Sequence, residues 1–326
     1  MSQSMPLIRS GVLDPIVSWM SANGVEVDKA LADVGLNWVA RGSLTDPMPL
    51  LPVTELLSLL AAEKGPDVPR RIVAAQTTLD LGPISAFIAL AGSPANALRA
   101  APGFLPYHNS HELLSAEETP TTLRLTSGWF LRFTDRTTLH MVHQFFVSVI
   151  ARICSDTMRP DPWFLEIAML PHPNHGLDHL RPWLGDRVHA TEEKSLTIVL
   201  DRAAAEQPFS ITAPSAPLAF DLGTLEKLSG KTLLSDSVAT LVKAMLPYTK
   251  PRIDQIAGYA QRSRRSFQRQ LSEEGTTFSE IVDAVRLELA KDYMETNTLT
   301  QKEITDLLGF ARPETLSRAL RRWRHT

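Results

Sequence analysis

Ile253-Asp254-Gln255-Ile256-Ala257 leads into Ser263-Arg264-Arg265-Ser266-Phe267-Gln268-Arg269-Gln270-Leu271, and about 48 residues later Ile304-Thr305-Asp306-Leu307-Leu308-Gly309-Phe310 leads into Thr315-Leu316-Ser317-Arg318-Ala319-Leu320. These are two diverged copies of one pattern, offset by a single residue of slip. Each reads as a short apolar helix, a tight turn and a second helix whose outer face is polar and basic, which is a helix-turn-helix unit. In the first copy Ser263 is placed to cap the second helix through its hydroxyl. In the second, Gly309 permits the turn, Phe310 plugs the core and Pro313 suits the first helical position, where its missing N–H costs nothing.

Between the copies, Thr277-Phe278-Ser279-Glu280 has the form of a capping box, and Phe278, Ile281, Val285, Leu289 and Tyr293 follow at helical spacing. A single helix from Phe278 to Glu295 would be roughly 27 Å long at 1.5 Å per residue. One turn of B-DNA is about 34 Å, so a rod of that length could hold two recognition helices over successive major-groove segments.

Taken together, Ser263-x-Arg265-x-Phe267-Gln268-Arg269-x-Leu271, Glu274-Gly275-Thr276-Thr277-Phe278, Arg286-x-x-x-Ala290, Ile304 to Phe310 and Leu316-Ser317-Arg318-Ala319-Leu320-Arg321-Arg322-Trp323 resemble the AraC/XylS family of bacterial transcription regulators over essentially all of Pro251 to Trp323. The resemblance implies an all-α domain with two helix-turn-helix units joined by a long helix, sequence-specific promoter binding, usually activation, and no catalysis. Carried onto this chain, it makes Arg265, Ser266, Gln268 and Arg269 the outward positions of the first recognition helix, and Arg312, Glu314, Ser317 and Arg318 those of the second. Arg pairs bidentately with guanine, Gln with adenine, and Glu accepts from cytosine. Arg264, Arg321 and Arg322 are expected on phosphates, which position the protein without specifying sequence. Two departures stand out. Ala260-Gln261-Arg262 replaces the usual Leu-Gly-Met before the first cap, and the closing tail after the Trp is absent, so a last short helix is expected to be missing.

Charge supports the same region. From Asp236 onward there are 15 Lys and Arg against 12 Asp and Glu, while the rest of the chain carries 18 against 24, within an overall balance of -3. Arg318, Arg321, Arg322 and Arg324 fall within seven residues, an electrostatic footprint for a polyanion. With 326 residues, 44% hydrophobic and 21% charged, the chain has the composition of a folded protein of about two domains. The apolar run Phe145 to Cys154 is broken by Arg152 and falls far short of the roughly 20 residues of a membrane span. No export signal is visible, and the lone Cys154 allows neither an internal disulfide nor a thiolate zinc site, so a cytoplasmic protein is expected.

Residues 7 to 110 read mostly as helix, 112 to 135 as short alternating strands, Leu139 to Cys154 as a strong helix, and Trp163 to Leu170 and Ser195 to Leu200 as further strands. The organisation expected is an α+β domain over 1–210, a Pro-rich connection over 211–235 and the helical domain over 236–326. Leu81-Gly82, Ala97-Leu98, Pro106-Tyr107, Leu170-Pro171-His172-Pro173 and Trp183-Leu184-Gly185 loosely resemble the arabinose-binding-like sensor domain of the ornithine-utilisation type of AraC regulator. That resemblance implies effector sensing and homodimerisation, without making arabinose the ligand. The partners expected are therefore promoter DNA, RNA polymerase, an unidentified small molecule and a second copy, with no membrane and no cofactor.

Candidate ligand residues are Trp129, Arg132, Arg136, His140 and His143. Arginines beside Trp129 and Phe130 suit a phosphate and a stacked base, and the Arg132-x-x-x-Arg136 spacing resembles cyclic-di-GMP receptors of the PilZ type. Exposed loop charges are the plainer reading. His172, His175 and His179 with Asp178 and His189 offer ligand types for zinc or nickel, and so for a metal-dependent sensor or enzyme, but on a Pro-broken segment without defined spacing. A third alternative is a DNA-binding module inert as an activator for want of its tail.

Overall fold

The computed structural model describes residues 4–39, 42–131, 133, 135–157, 163–210, 225–230, 232–295 and 298–323. Much of the expected connection, 211–224 and 231, lies outside the described residues. The amino-terminal part combines helices with two sheets, and the carboxyl-terminal part is helical. Among the described residues no helix is long and apolar enough to cross a membrane.

The chain opens with β1 (Leu7–Arg9), then α1 (Leu13–Ala22) and α2 (Val27–Asp33), and β2 (Pro47–Pro49) returns antiparallel to β1. Four helices follow: α3 (Leu50–Lys64), α4 (Val68–Ala74), α5 (Pro83–Leu90) and α6 (Pro94–His108). The β1–β2 pair was not foreseen. Three residues with two prolines carry no strand signal of their own, and the pairing depends on a partner forty residues away.

The larger sheet has the order β3 (Glu112–Glu118), β4 (Thr122–Trp129), β7 (Leu196–Asp201), β5 (Phe164–Met169), β6 (Val188–Ala190). Every neighbouring pair is antiparallel except β5 with β6. Period-two alternation sets its inner face: Leu123, Leu125 and Ser127 of β4 are buried, opposite Leu200, Ile198 and Leu196 of β7. Across it lies α7 (Arg136–Ser155), capped by Asp135, whose carboxylate accepts from the Thr138 N–H at 2.7 Å. Val147, Ile150 and Cys154 of α7 enter the core of the sheet, and the helix also packs on α3 and α4. Being covered on two sides, it buries polar groups as well, including His140, His143 and Gln144.

After two short helices, α8 (Arg181–Leu184) and α9 (Arg202–Ala205), come α10 (Leu234–Met245), α11 (Ile253–Tyr259), α12 (Arg264–Glu273), α13 (Phe278–Glu295), α14 (Gln301–Leu307) and α15 (Pro313–Trp323). Helix α13 has the bounds expected of the rod, and its capping box is formed both ways: Thr277 N–H to Glu280 Oε2 at 2.8 Å and Glu280 N–H to Thr277 Oγ1 at 3.3 Å.

A single buried hydrophobic cluster joins the two ends of the chain, running from Met5, Leu7 and Ile16 through Leu234, Val238, Leu241 and Met245 to Ile256, Phe267 and Leu316. Polar contacts reinforce it. The Met5 N–H donates to Ser237 Oγ at 2.9 Å, and the buried Arg9 guanidinium donates to the carbonyls of Tyr107, Thr45 and Glu226. The Tyr259 hydroxyl, on α11, donates to the Gly35 carbonyl and accepts from Trp38 Nε1 at 3.2 Å and Gln255 Nε2 at 2.7 Å. Gly35 sits at φ +74, and a Cβ there would press on the tyrosine ring at 3.3 Å.

Removing the hydroxyl by Tyr259→Phe strands the buried Trp38 N–H and the Gly35 carbonyl, so unfolding by urea should show a loss of about 1–3 kcal/mol. An unchanged midpoint would mean that water replaces the hydroxyl.

Candidate functional site

Helices α11 and α12 meet at a turn in which Gln261 takes φ 51, and α14 and α15 at one in which Gly309 takes φ 66. The offset of 48 residues sets these two positions against each other, so the first turn keeps the left-handed backbone with a side chain present. This is the position where the resemblance expected Gly. Arg262, the other departure there, is not a bare charge in the core: it donates to Gln270 Oε1, and Gln270 Nε2 donates on to Glu274 at 3.1 Å. The Glu274 carboxylate also accepts the Leu234 and Ser235 N–H groups at 2.9 and 2.8 Å, closing the amino end of α10.

Ser263 caps α12, its hydroxyl accepting from the Ser266 N–H at 3.2 Å. Phe267 and Leu271 point into the core, which turns Arg264, Arg265, Gln268 and Arg269 outward and exposed, with Ser266 half-buried. In α15 the buried Leu316 and Ala319 turn Glu314, Arg318, Arg321 and Arg322 outward; Arg312 just before the helix is exposed and Ser317 half-buried. Arg324 lies outside the described residues.

The arginines differ in their engagements. Arg264 lies 3.4 Å from Asp254, Arg269 3.6 Å from Glu273 and Arg322 2.7 Å from Asp283, all at exposed positions where such pairs are worth about 0–1 kcal/mol and open readily to another anion. Arg265, Arg312, Arg318 and Arg321 have no carboxylate in range among the described residues. Ser317 Oγ accepts from Gln301 at 3.3 Å, so it is tied to the start of α14.

In the sequence Arg286 enters only through its spacing from Ala290. On α13 its Nε donates to the Leu308 carbonyl at 2.9 Å and its NH2 to the Gly309 carbonyl at 3.3 Å, and its guanidinium lies 4.4 Å from the centroid of Phe310. It clasps the α14–α15 turn to the rod. An Arg four residues from an Ala inside a helix carries no signal of such a contact, because the turn it meets is over twenty residues away.

A cavity of about 510 Å3 opens between the end of β4, the start of α7 and the loop from β6 to β7. Trp129 and Arg136, both expected at a ligand site, line it, together with Phe133, Asp135, Glu192 and Lys194. Arg132 lies outside the described residues. Arg136 is held by Glu192, both terminal nitrogens donating to Oε2 at 3.0 Å. His140 and His143 do not line the cavity; both are buried on α7.

His140 belongs to a ring cluster with His172, His175 and His179, centroids 4.8 to 6.3 Å apart. Its Nδ1 donates to the Leu170 carbonyl at 2.8 Å, which leaves Nε2 to accept from His179 Nε2 at 3.0 Å. His172 Nδ1 accepts the N–H groups of Asn174 and His175 at 3.1 and 3.2 Å, so its proton sits on Nε2. The lone pairs of His140 and His172 are thus spent on internal bonds, while among the described residues His179 Nδ1 is buried without a partner and no three His, Cys, Asp or Glu side chains are arranged to hold a metal ion. Burial, reinforced by the neighbouring imidazoles, lowers His140 to about 3 and His179 to about 4. His143, beside the Lys194 backbone but with neither ring nitrogen at hydrogen-bond geometry, is lowered by burial to about 4.

Residues 256–326 match the model of a helix-turn-helix domain, and the carboxyl-terminal region of this chain is such a domain, of the AraC type. Two curated relatives from Pseudomonas aeruginosa are similar over shorter stretches. The ornithine utilization regulator is 33% identical over 121 residues, 36% of this chain and 35% of that protein. The HTH-type transcriptional regulator VqsM is 31% identical over 78 residues, 24% of each chain. The matched stretches thus span about a third or less of those relatives. The crystal structure of the transcriptional regulator CdpR from Pseudomonas aeruginosa aligns over 95% of this chain and 96% of its own with a TM-score of 0.39 at 16% identity.

Two measurements check this site. At Gly309 a Cβ would find only ordinary contacts, 3.5 Å from Leu246, so Gly309→Ala should cost the backbone penalty alone, about 1–2 kcal/mol in urea unfolding. A buried imidazole whose folded pKa lies near 4, against an ordinary 6.5, gives stability that is complete above pH 6.5 and is lost as pH falls toward 4. His143→Leu should therefore lose about 3 kcal/mol less than the parent between pH 7.5 and 4. Parallel pH profiles for the two proteins would show that His143 does not titrate this way.

Proposed function

We propose that the chain is a sequence-specific DNA-binding transcription regulator in which α11–α12 and α14–α15 act as two helix-turn-helix units spaced by α13. The observation that carries this reading is the pair of exposed polar faces on α12 and α15, each projecting from an apolar base and joined through one 18-residue helix. Arg265, Ser266, Gln268 and Arg269 read bases in one major-groove segment, and Arg312, Glu314, Ser317 and Arg318 in the next. Arg264, Arg321 and Arg322 hold phosphates. The relatives' printed names, both regulators, support the assignment.

The division into a sensor over 1–210, a connection over 211–235 and a DNA-binding region over 236–326 belongs to the same proposal, as do homodimerisation, contact with RNA polymerase and an activating role. The cavity beside Trp129 is the effector site. An effector acts there by binding one arrangement of the molecule more tightly than another, which is the only way a ligand can shift such an equilibrium. The contacts of Tyr259 with residues 35 and 38 give the two regions a route of contact.

Selection of genomic fragments by the full-length protein at about 150 mM salt, a concentration that suppresses loose phosphate binding, should enrich an operator. Footprinting should then protect two major-groove segments about one helical turn apart. On that operator Arg265→Ala should cost about 1–3 kcal/mol and relax preference at one base position. Arg321→Ala should weaken binding to all sequences and lower the salt slope by about one unit. A folded protein that enriches no fragment, with or without small molecules added, would overturn the assignment.

A further inference from the structure

Four charged side chains stand at the solvent-exposed mouth of the cavity beside Trp129. Two acids and two bases line it: Asp135, Glu192, Arg136 and Lys194. The Arg136–Glu192 pair uses one carboxylate oxygen only, leaving Glu192 Oε1 without a hydrogen bond among the described residues. Asp135 spends Oδ1 on the cap of α7, with Oδ2 left over. Lys194 has no carboxylate within ion-pair range among the described residues. Trp129 Nε1 has no hydrogen-bond partner among the described residues, but it is fully covered and does not face the open cavity; the indole contributes its ring to the wall.

The rest of the wall is apolar. Trp129 meets Phe133 edge-on with centroids 5.2 Å apart, and Leu139 and Leu170 face the same space. At about 510 Å3 the cavity falls within the range of small-molecule sites, roughly 300–1,000 Å3.

The sign of the ligand follows from the balance. A lone carboxylate could meet Lys194 but would stand beside Asp135 with no charge of its own to answer it, Arg136 being already paired with Glu192. A lone ammonium has the converse difficulty. A molecule with both heads answers both sets and leaves the neutral lining neutral. We propose that this cavity binds an amino acid with an apolar side chain, its carboxylate toward Lys194, its ammonium toward Asp135 and Glu192, and its side chain against Trp129, Phe133 and the leucines. This rests on the reading of the cavity as the effector site.

The test is calorimetry on the full-length protein with the twenty standard amino acids, and with 3-phenylpropionate and phenethylamine as the two halves of L-phenylalanine. One or more apolar amino acids should bind, and for L-phenylalanine each half should bind at least tenfold more weakly. Lys194→Ala should weaken binding at least fivefold with an unchanged melting temperature. So should Asp135→Asn, which removes the charge while Asn keeps the helix capped. Two results overturn the amino-acid assignment: either half binding as tightly as the whole, or none of the twenty binding up to 10 mM. The effector-site reading has its own readout. If some other compound changes promoter output and Trp129→Ala abolishes that response, the site stands and only the ligand class falls. If an active compound is indifferent to Trp129→Ala, Lys194→Ala and Asp135→Asn alike, both readings fall.

Discussion

The structure depends on burying the apolar face of α10. Leu234, Val238, Leu241, Val242 and Met245 are all at or near full burial, enclosed between the amino-terminal segment on one side and α13 on the other. A helix of twelve residues has little stability alone in water, so its order comes from the surfaces that cover it. Those surfaces are built from opposite ends of the chain. From α10 the order is passed on by polar contacts that fix direction as well as proximity: Glu274 closes its first turn, Ser237 receives the Met5 N–H, and Lys243 pairs with Glu288 of α13.

Within the helical region the same economy of means recurs at the two turns. The α11–α12 turn is held by Arg262 and Gln270, the α14–α15 turn by Arg286 reaching across from the rod. The two copies of the pattern have diverged in what stabilises them while keeping a left-handed residue at the same place. An internal repeat of this kind is conserved in its backbone geometry and free in its side-chain solutions.

What could be read from the sequence was what is decided locally. Ser263, Thr277 with Glu280, Gly309 and Pro313 each determine a helix end through atoms at most a few residues away, and the helices they bound came out where expected. Strand alternation at 122–126 and the length of α7 were legible for the same reason. The β1–β2 pair, the clasp of Arg286 and the docking of residues 4–9 were not, because each depends on partners far along the chain. The cavity shows the boundary within one site: Trp129 and Arg136 drew attention through their local company, whereas Glu192 and Lys194 arrive from a loop some sixty residues on. In the sequence the histidines form two separate groups, and nothing in their spacing announces that His140 meets His179.

Arg9 carries a consequence for how the molecule is made. Its guanidinium needs three carbonyls, from residues 45, 107 and 226, to be satisfied out of water. A ribosome delivers the last of these over two hundred residues after Arg9 itself, and Met5 waits still longer for Ser237. The first strand of the protein therefore cannot reach its final environment until the last third of the chain has emerged. Until then a positive charge and an apolar edge near the amino terminus remain open to solvent and to other chains. A fragment ending before residue 226 keeps that exposed condition permanently, so the amino-terminal portion expressed by itself is a different physical object from the same residues in the whole chain.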